Sequence, residues 1–259
     1  MQRVALTLIL LAGCAGSALA ADSPFAGNWK LNVEKSKLTG DTLTYSATPN
    51  GYHYSNGATL EYDFAADGKD YPMIAGRTVA WTKSADNTWD SVVKNEKGTV
   101  LSKSHRVLSK DGKKLTISYT SYRPDGTTGD GTDEYLRVSA GTGLVGKWKD
   151  VKSKETSTSM TIAVPAAGQV AVEYPSYKQT ISGPTDGTPI AVNGPTVPAG
   201  LFRSYKATGS HKWTFTTTLN GKVWRQGILS VSADGNTLTD VSWIPGKASE
   251  KEVDVYQKQ

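Results

Sequence analysis

The chain has 259 residues, and its one cysteine, Cys14, lies within the first twenty. A single cysteine excludes an internal disulfide, and removal of the first twenty residues excludes thiol chemistry and cysteine metal sites. The 26 glycines, 12 tyrosines and 7 tryptophans, with few amphipathic helical stretches, favour β-structure. Residues 21–140 hold 15 basic and 15 acidic residues, whereas residues 141–259 hold 13 and 9, an excess of +4. No stripe of Lys and Arg with interleaved aromatics accompanies this excess, so we expect no nucleic-acid partner.

Residues 1–20 have the three parts of a secretory signal peptide. Arg3 precedes the apolar stretch 4–12, which is too short to span a bilayer, and small residues follow. Cleavage after Ala20 would give a soluble exported protein. The lipobox-like segment 11–14 would instead give a lipoprotein carried by lipid on Cys14. Both alternatives predict an exported, periplasmic or extracellular protein; only the second, an outer-membrane lipoprotein, is attached to a membrane, through the lipid on Cys14.

The chain contains an internal duplication. Three short segments recur in the same order and at nearly the same spacing: Gly-x-Trp-Lys at 27–30 and 146–149, Ser-x-Asp-Gly at 109–112 and 232–235, and Tyr-x-basic at 135–137 and 256–258. The repeat is much longer than that of a solenoid, so each copy is a domain. We predict a signal peptide at 1–20, a first domain at 25–139 and a second at 144–259.

Each copy shows the alternation and turn residues of short β-strands. Leu115, Ile117 and Tyr119 alternate with polar residues, and Asn-Gly and Asp-Gly pairs separate such runs. About eight strands per copy, joined by tight turns, predict an all-β fold of two tandem antiparallel up-and-down β-barrels. The irregular stretches 67–76 and 183–200 are rich in Pro or Gly, so we expect them at a barrel mouth or edge.

A family resemblance follows from the first of these segments. Residues 27–36, GNWKLNVEKS, resemble the opening of small exported bacterial lipocalin-like proteins of the calycin superfamily. The resemblance covers nearly all of residues 25–138 and is weaker over 144–259. In lipocalins the corresponding Trp closes the barrel base beneath an Arg of the last strand. The resemblance therefore implies structural pairs in which Trp29 meets Arg137 and Trp148 meets Lys258.

Few residues carry a recognisable catalytic pattern. The histidines at 53, 105 and 211 lack metal-ligand spacing, and we expect neither a metal nor a cofactor. If the protein is an enzyme, His105 and the carboxylates Glu61 and Asp63 are the groups to suspect. Alternation places those two carboxylates on the strand face opposite Tyr62, which favours solvated side chains over catalysts.

The aromatic and basic residues of the strands either fill the barrels or line a cavity for one small ligand. The candidate ligand-binding residues are Tyr62, Tyr71, Arg77, Trp81, Arg203, Tyr205, Trp213 and Trp224. The favoured function is binding of a small hydrophobic or amphipathic molecule by a monomer, at the barrel ends away from the base tryptophans. A hydrolase or isomerase and a filled structural barrel remain open. The excess of +4 and Arg203 predict that the second copy prefers an anionic amphiphile.

Overall fold

The computed structural model describes residues 23–259 and confirms the all-β fold of two antiparallel, nearly closed barrels. Each barrel is one ten-stranded sheet in which neighbouring strands are antiparallel. The predicted processing sites at Ala20 and Cys14 lie outside the described residues. Within residues 23–259, no helix has the length and apolarity needed to cross a bilayer.

Barrel 1 is the sheet ordered β4-β3-β2-β11-β10-β9-β8-β7-β6-β5. Its strands are β2 (Thr42–Thr48), β3 (Gly51–Ser55), β4 (Glu61–Phe64), β5 (Asp67–Pro72), β6 (Thr78–Ala85), β7 (Thr88–Lys94), β8 (Val100–Leu108), β9 (Lys114–Tyr122), β10 (Thr128–Arg137) and β11 (Gly146–Glu155). A short 3₁₀ turn at Ile74–Gly76 joins β5 to β6.

Barrel 2 is the sheet ordered β14-β13-β12-β1-β20-β19-β18-β17-β16-β15. Its strands are β1 (Gly27–Leu31), β12 (Ser159–Ala163), β13 (Gln169–Tyr174), β14 (Gln179–Pro184), β15 (Ile190–Ala191), β16 (Leu201–Gly209), β17 (Lys212–Leu219), β18 (Lys222–Val231), β19 (Thr237–Trp243) and β20 (Glu252–Lys258). A 3₁₀ turn at Pro175–Tyr177 joins β13 to β14.

The Gly-x-Trp-Lys strand of each copy is exchanged between the barrels. β1 pairs with β12 and β20, so it lies in the barrel formed by the second half of the chain. β11 pairs with β10 and β2 of the first half. Barrel membership therefore differs from the predicted boundaries 25–139 and 144–259. Barrel 1 is formed by one continuous stretch of the chain, whereas barrel 2 pairs the first described strand with the last. At that pairing, Gln259 N–H donates to Asn28 O at 2.9 Å.

The number of strands also exceeds the prediction of about eight per copy. The stretch 67–76 contributes edge strand β5, and 183–200 contains the two-residue strand β15, which is also an edge. Both stretches carry prolines, which cannot donate to a central ladder, so their edge positions agree with the sequence prediction. Hairpins join most consecutive strands within each barrel: Asn220 and Gly221, at φ of 50° and 78°, form the two-residue turn between β17 and β18.

Each barrel is closed at one end by a buried tryptophan, but the predicted partners are wrong. The Arg137 guanidinium carbon lies 4.1 Å from the Trp148 ring centroid, and Lys258 Nζ lies 5.4 Å from the Trp29 ring centroid. Trp29 therefore meets Lys258, not Arg137, and Trp148 meets Arg137, not Lys258. The physical reason is the strand exchange, because each tryptophan travels with its strand into the other copy's barrel.

The two other ends, the barrel mouths, face each other. Segments 32–41 and 156–158 carry the chain from one barrel to the other at these mouths. Contacts cross between them: Lys247 Nζ donates to Thr42 Oγ1 at 2.8 Å, and the Arg123 guanidinium carbon lies 5.6 Å from the Tyr177 ring centroid. The tryptophan ends therefore point outward and the lumens open towards a shared junction.

Candidate functional site

Barrel 1 holds an arginine in its lumen without a carboxylate partner. Arg106, on β8, donates from Nη1 to Ser91 Oγ at 2.8 Å, and its guanidinium carbon lies 4.1 Å from the Trp81 ring centroid. Among residues 23–259, no Asp or Glu forms an ion pair with it; tyrosines, chiefly Tyr45 and Tyr62, act on it most strongly, and Asp90 acts on it more weakly. A desolvated, unpaired guanidinium attracts an anion strongly.

The same lumen contains several buried hydrogen-bond donors that have no acceptor. Tyr45 Oη, Trp81 Nε1, Trp89 Nε1 and Arg106 Nε are all buried and unpaired within the described residues. Burial raises the pKa of Tyr45, and the nearby Arg106 opposes this effect. Since a buried unsatisfied donor costs about 1–3 kcal/mol, this concentration in one lumen indicates a place for an acceptor-rich group.

Barrel 2 holds its lumen arginine in a different electrostatic setting. Arg203, on β16, lies over Phe215 with its guanidinium carbon 3.9 Å from the ring centroid, and Nη2 lies 3.7 Å from Asp240 Oδ2. Both charged side chains are only 16% exposed. Burial raises the pKa of Asp240 to about 6, although Arg203 and Arg225 lower it. The carboxylate therefore neutralises Arg203 from within the protein.

A pocket lined by both apolar and polar residues, among them Glu61 and Lys222, opens where barrel 1 fails to close. β4 and β5 are the two edges of this sheet, and Tyr62 of β4 and Met73 after β5 line a pocket of about 510 Å³. Barrel 2 supplies the opposite wall with Val223 and Trp224. We call this the seam pocket. Tyr62 connects it to the lumen, because this side chain also lies within the electrostatic reach of Arg106.

The structure brings together only some of the predicted ligand-binding residues. Tyr62 and Trp224 line the seam pocket, and Arg77 lines a separate pocket with residues 194–198. Trp81, Tyr205 and Trp213 are buried core residues, and Tyr71 packs against the core of barrel 1. Arg203 lies in the lumen of barrel 2 with Asp240.

The side chains suspected of catalysis are on outer barrel surfaces and do not form one group. His105 Nδ1 lies 2.7 Å from Asp90 Oδ1. Asp63 lies 2.7 Å from His53 Nδ1, and Glu61 lies 3.8 Å from His53 Nε2. Glu61 and Asp63 are 73% and 74% exposed, in agreement with the alternation argument. Within residues 23–259, no cluster of three His, Cys, Asp or Glu residues could hold a metal ion.

Sequence reasoning missed Arg106, which is the charged group most deeply placed in barrel 1. A signal was present, because Ser102, Ser104 and Arg106 share one face of β8 at a spacing of two residues. The opposite face carries Lys103, His105 and Val107, which are exposed. The side chain of Arg106 therefore had to enter the lumen.

No known protein-family model matches this sequence, and no curated protein matches it.

Proposed function

We propose that the protein binds a small amphipathic anion, with the apolar part in the seam pocket and the anionic group at Arg106. The observation that carries the proposal is the guanidinium of Arg106, which forms no ion pair among the described residues and acts electrostatically on Tyr62, a residue that lines the seam pocket. A carboxylate would accept hydrogen bonds from Arg106 and from neighbouring unpaired donors, while Met73, Val223 and Trp224 would cover its chain. This is consistent with a lipocalin-like protein, as the opening segment suggested.

The proposal places the anion preference in barrel 1, whereas the charge excess had favoured the second copy. Net surface charge acts weakly through water, while an arginine in a lumen acts at short range in a low-dielectric environment. Arg203 already faces Asp240, so an added anion would have to compete with that carboxylate. Arg106 forms no ion pair with a carboxylate among the described residues, and Asp90 acts on it only weakly.

The test compares dodecanoate with dodecanol by isothermal titration calorimetry on the full exported chain. Arg106→Gln removes the charge, and Arg203→Gln is the matched control in the other lumen. Since hydrogen bonds to a charged group contribute about 1.5–3 kcal/mol, Arg106→Gln should weaken dodecanoate binding by about tenfold or more. Dodecanol binding should change little, because the alcohol carries no charge.

Trp224→Ala should weaken both ligands, because it removes part of the apolar wall of the seam pocket. Thermal melting of each variant establishes that it is folded. Absence of saturable dodecanoate binding by the native protein would contradict the proposal. Equal loss of dodecanoate affinity in Arg106→Gln and Arg203→Gln would also contradict the assignment to barrel 1.

A further inference from the structure

A second pocket lies at the junction between the two barrel mouths. It has a volume of about 320 Å³, and both barrels and the second crossing segment line it. Tyr119 and Glu155 come from barrel 1, and Tyr174, Asp254 and Tyr256 come from barrel 2. We call it the junction pocket. It is distinct from the seam pocket, with which it shares no lining residue.

Tyrosines form much of the wall of the junction pocket. Tyr119, Tyr174, Tyr177 and Tyr256 line it from three parts of the fold: β9, the β13–β14 hairpin and β20. Tyr256 is only 8% exposed, and within the described residues its hydroxyl has no hydrogen-bond partner. Tyr119 Oη has one long contact, 3.5 Å, to Glu155 Oε2. Aromatic faces and free hydroxyls together provide favourable contacts for an organic cation.

The charged groups of the junction pocket are mainly acidic. Glu155, Asp254 and Asp130 contribute carboxylates, and Arg123 contributes the one guanidinium of the lining. Within residues 23–259, neither Glu155 nor Asp254 forms an ion pair, and Arg123 lies over the Tyr177 ring. Two partly buried carboxylates without cationic partners are costly unless they are protonated or a cation joins them.

The groups around Asp254 make this charge imbalance stronger. Asp240 faces it from β19, Glu252 from its own strand and Glu155 from β11, while Arg225 of β18 acts on it in the opposite sense. Arg225 is already bonded to Glu252, with Nη2 2.9 Å from Oε1. Burial and these carboxylates raise the pKa of Asp254 to about 7. Burial, Asp133 and Glu252 also raise the pKa of Glu155, whereas Tyr119 and Arg123 lower it.

We propose that the junction pocket binds a small organic cation, an ammonium compound held between Glu155 and Asp254 and against the tyrosine faces. The cation supplies the positive charge that the two carboxylates lack and leaves Arg123 in place over Tyr177. Its binding releases a proton, because the cation stabilises the ionised carboxylates. Affinity therefore rises between pH 5.5 and pH 8.

The test uses choline chloride as the probe and the full chain, with isothermal titration calorimetry at pH 5.5, 6.5 and 8. Saturable binding that strengthens with pH is expected for the native protein. Asp254→Asn and Glu155→Gln should each weaken choline binding at pH 8 by about tenfold. Asp254→Asn should also reduce the pH dependence. Asp86→Asn, at an exposed site in barrel 1, is the matched control and should leave affinity unchanged.

Sodium acetate is titrated in parallel as the anionic probe. Acetate binding that depends on Arg123, with no choline binding, would overturn the proposal and assign the pocket to anions. Choline affinity that is unchanged in both carboxylate variants would also overturn it. The two variants keep side-chain size, and equal melting temperatures at pH 5.5 would establish that any loss of binding is not a loss of folding. The dodecanoate experiment probes another pocket, so either proposal can fail alone.

Discussion

Barrel 1 and barrel 2 place an arginine at the same depth of the lumen but from different strands. The strand registers make Trp81 and Ser91 of barrel 1 equivalent to Tyr205 and Phe215 of barrel 2. Arg106 contacts the first pair, and Arg203 lies over the second. The two guanidinium groups thus occupy one level.

The sequence position that carries each arginine is apolar in the other barrel. Arg106 of barrel 1 pairs with Trp89, and the equivalent position of barrel 2 is Leu229, which pairs with Trp213. Arg203 of barrel 2 is in turn equivalent to Val79 of barrel 1. The residue facing Leu229 is Asp240, whereas Ile117 faces Arg106. Both barrels therefore have an arginine at the same depth of the lumen, although different strands supply it. Only barrel 2 has a carboxylate that neutralises this arginine.

The largest expected effect comes from the exchanged strands. Trp29→Ala should reduce the free energy of unfolding by about 3–5 kcal/mol, because it empties a fully buried site. The loss of stability should affect barrel 2, although Trp29 belongs to the first copy. Native-state hydrogen exchange should show lower protection in strands β12 to β20. Lower protection confined to residues 42–137 would refute the exchange, and Trp148→Ala should give the reverse pattern.

The two lumen arginines should respond differently to removal of their surroundings. Asp240→Asn leaves Arg203 without its carboxylate and should destabilise the protein by up to about 3 kcal/mol. Arg106→Met removes an unpaired charge and should be neutral or stabilising by denaturant titration. If Arg106→Met destabilises as much as Asp240→Asn, Arg106 has a partner in the protein and the comparison fails.

The lumen carboxylates predict a dependence of stability on pH. Burial raises the pKa of Asp150 to about 6 and that of Asp254 to about 7, from 3.8, and neither carboxylate forms an ion pair within the described residues. Between pH 3.8 and these raised pKa values, the native state therefore binds more protons than the unfolded state. The stabilisation by these groups is therefore complete below pH 3.8 and is lost as pH rises to about 7.

Urea titrations at pH 5 and pH 7.5 would measure this effect, with greater stability expected at pH 5. Asp254→Asn should reduce the difference between the two conditions, because asparagine does not titrate. Asp67→Asn is a suitable control, since hydrogen bonds from Lys69 lower the pKa of that exposed carboxyl and its titration lies below this range. A steeper pH dependence in Asp254→Asn would contradict the assignment.

The smallest expected effect concerns the closed ends. Arg137 covers Trp148 and also donates to the carbonyls of Gly112, at 2.7 Å, and of Gly143, at 2.6 Å. Lys258 covers Trp29 without a comparable planar fork. Arg137→Lys should therefore lower stability by about 1 kcal/mol, while Lys258→Arg should change it less or raise it slightly. If Arg137→Lys and Lys258→Arg shift the urea midpoint by equal amounts in opposite directions, stacking on the tryptophan accounts for the effect and the hydrogen bonds of Arg137 contribute nothing.

Much of the fold was predictable because it depends on local sequence patterns. Alternation along β9 and the Asn-Gly turn at 220–221 specify strands and hairpins wherever they occur. The exchange was not predictable, because Trp29 and Trp148 lie in similar segments that fit either barrel. Which barrel each strand joins depends on the paths of segments 32–41 and 156–158, where no periodic pattern exists.

The candidate sites were less predictable than the fold. Arg106 follows the alternation of β8, but its lack of a carboxylate partner depends on Ile117, a residue on the next strand. Likewise, the junction pocket exists because Glu155 and Asp254, from different barrels, are brought together by the facing mouths. Such long-range contacts leave no trace in sequence spacing.

The pairing of β1 with β20 also determines the order in which the molecule can be assembled. Barrel 1 can close as soon as residues 42–155 are available, since all its strands lie in that continuous stretch. Barrel 2 cannot close until β20, the last strand of the chain, pairs with β1, the first. One edge of β1, the edge that does not pair with β12, therefore stays unpaired until the last strand of the chain is available, and is exposed to association with other chains until then.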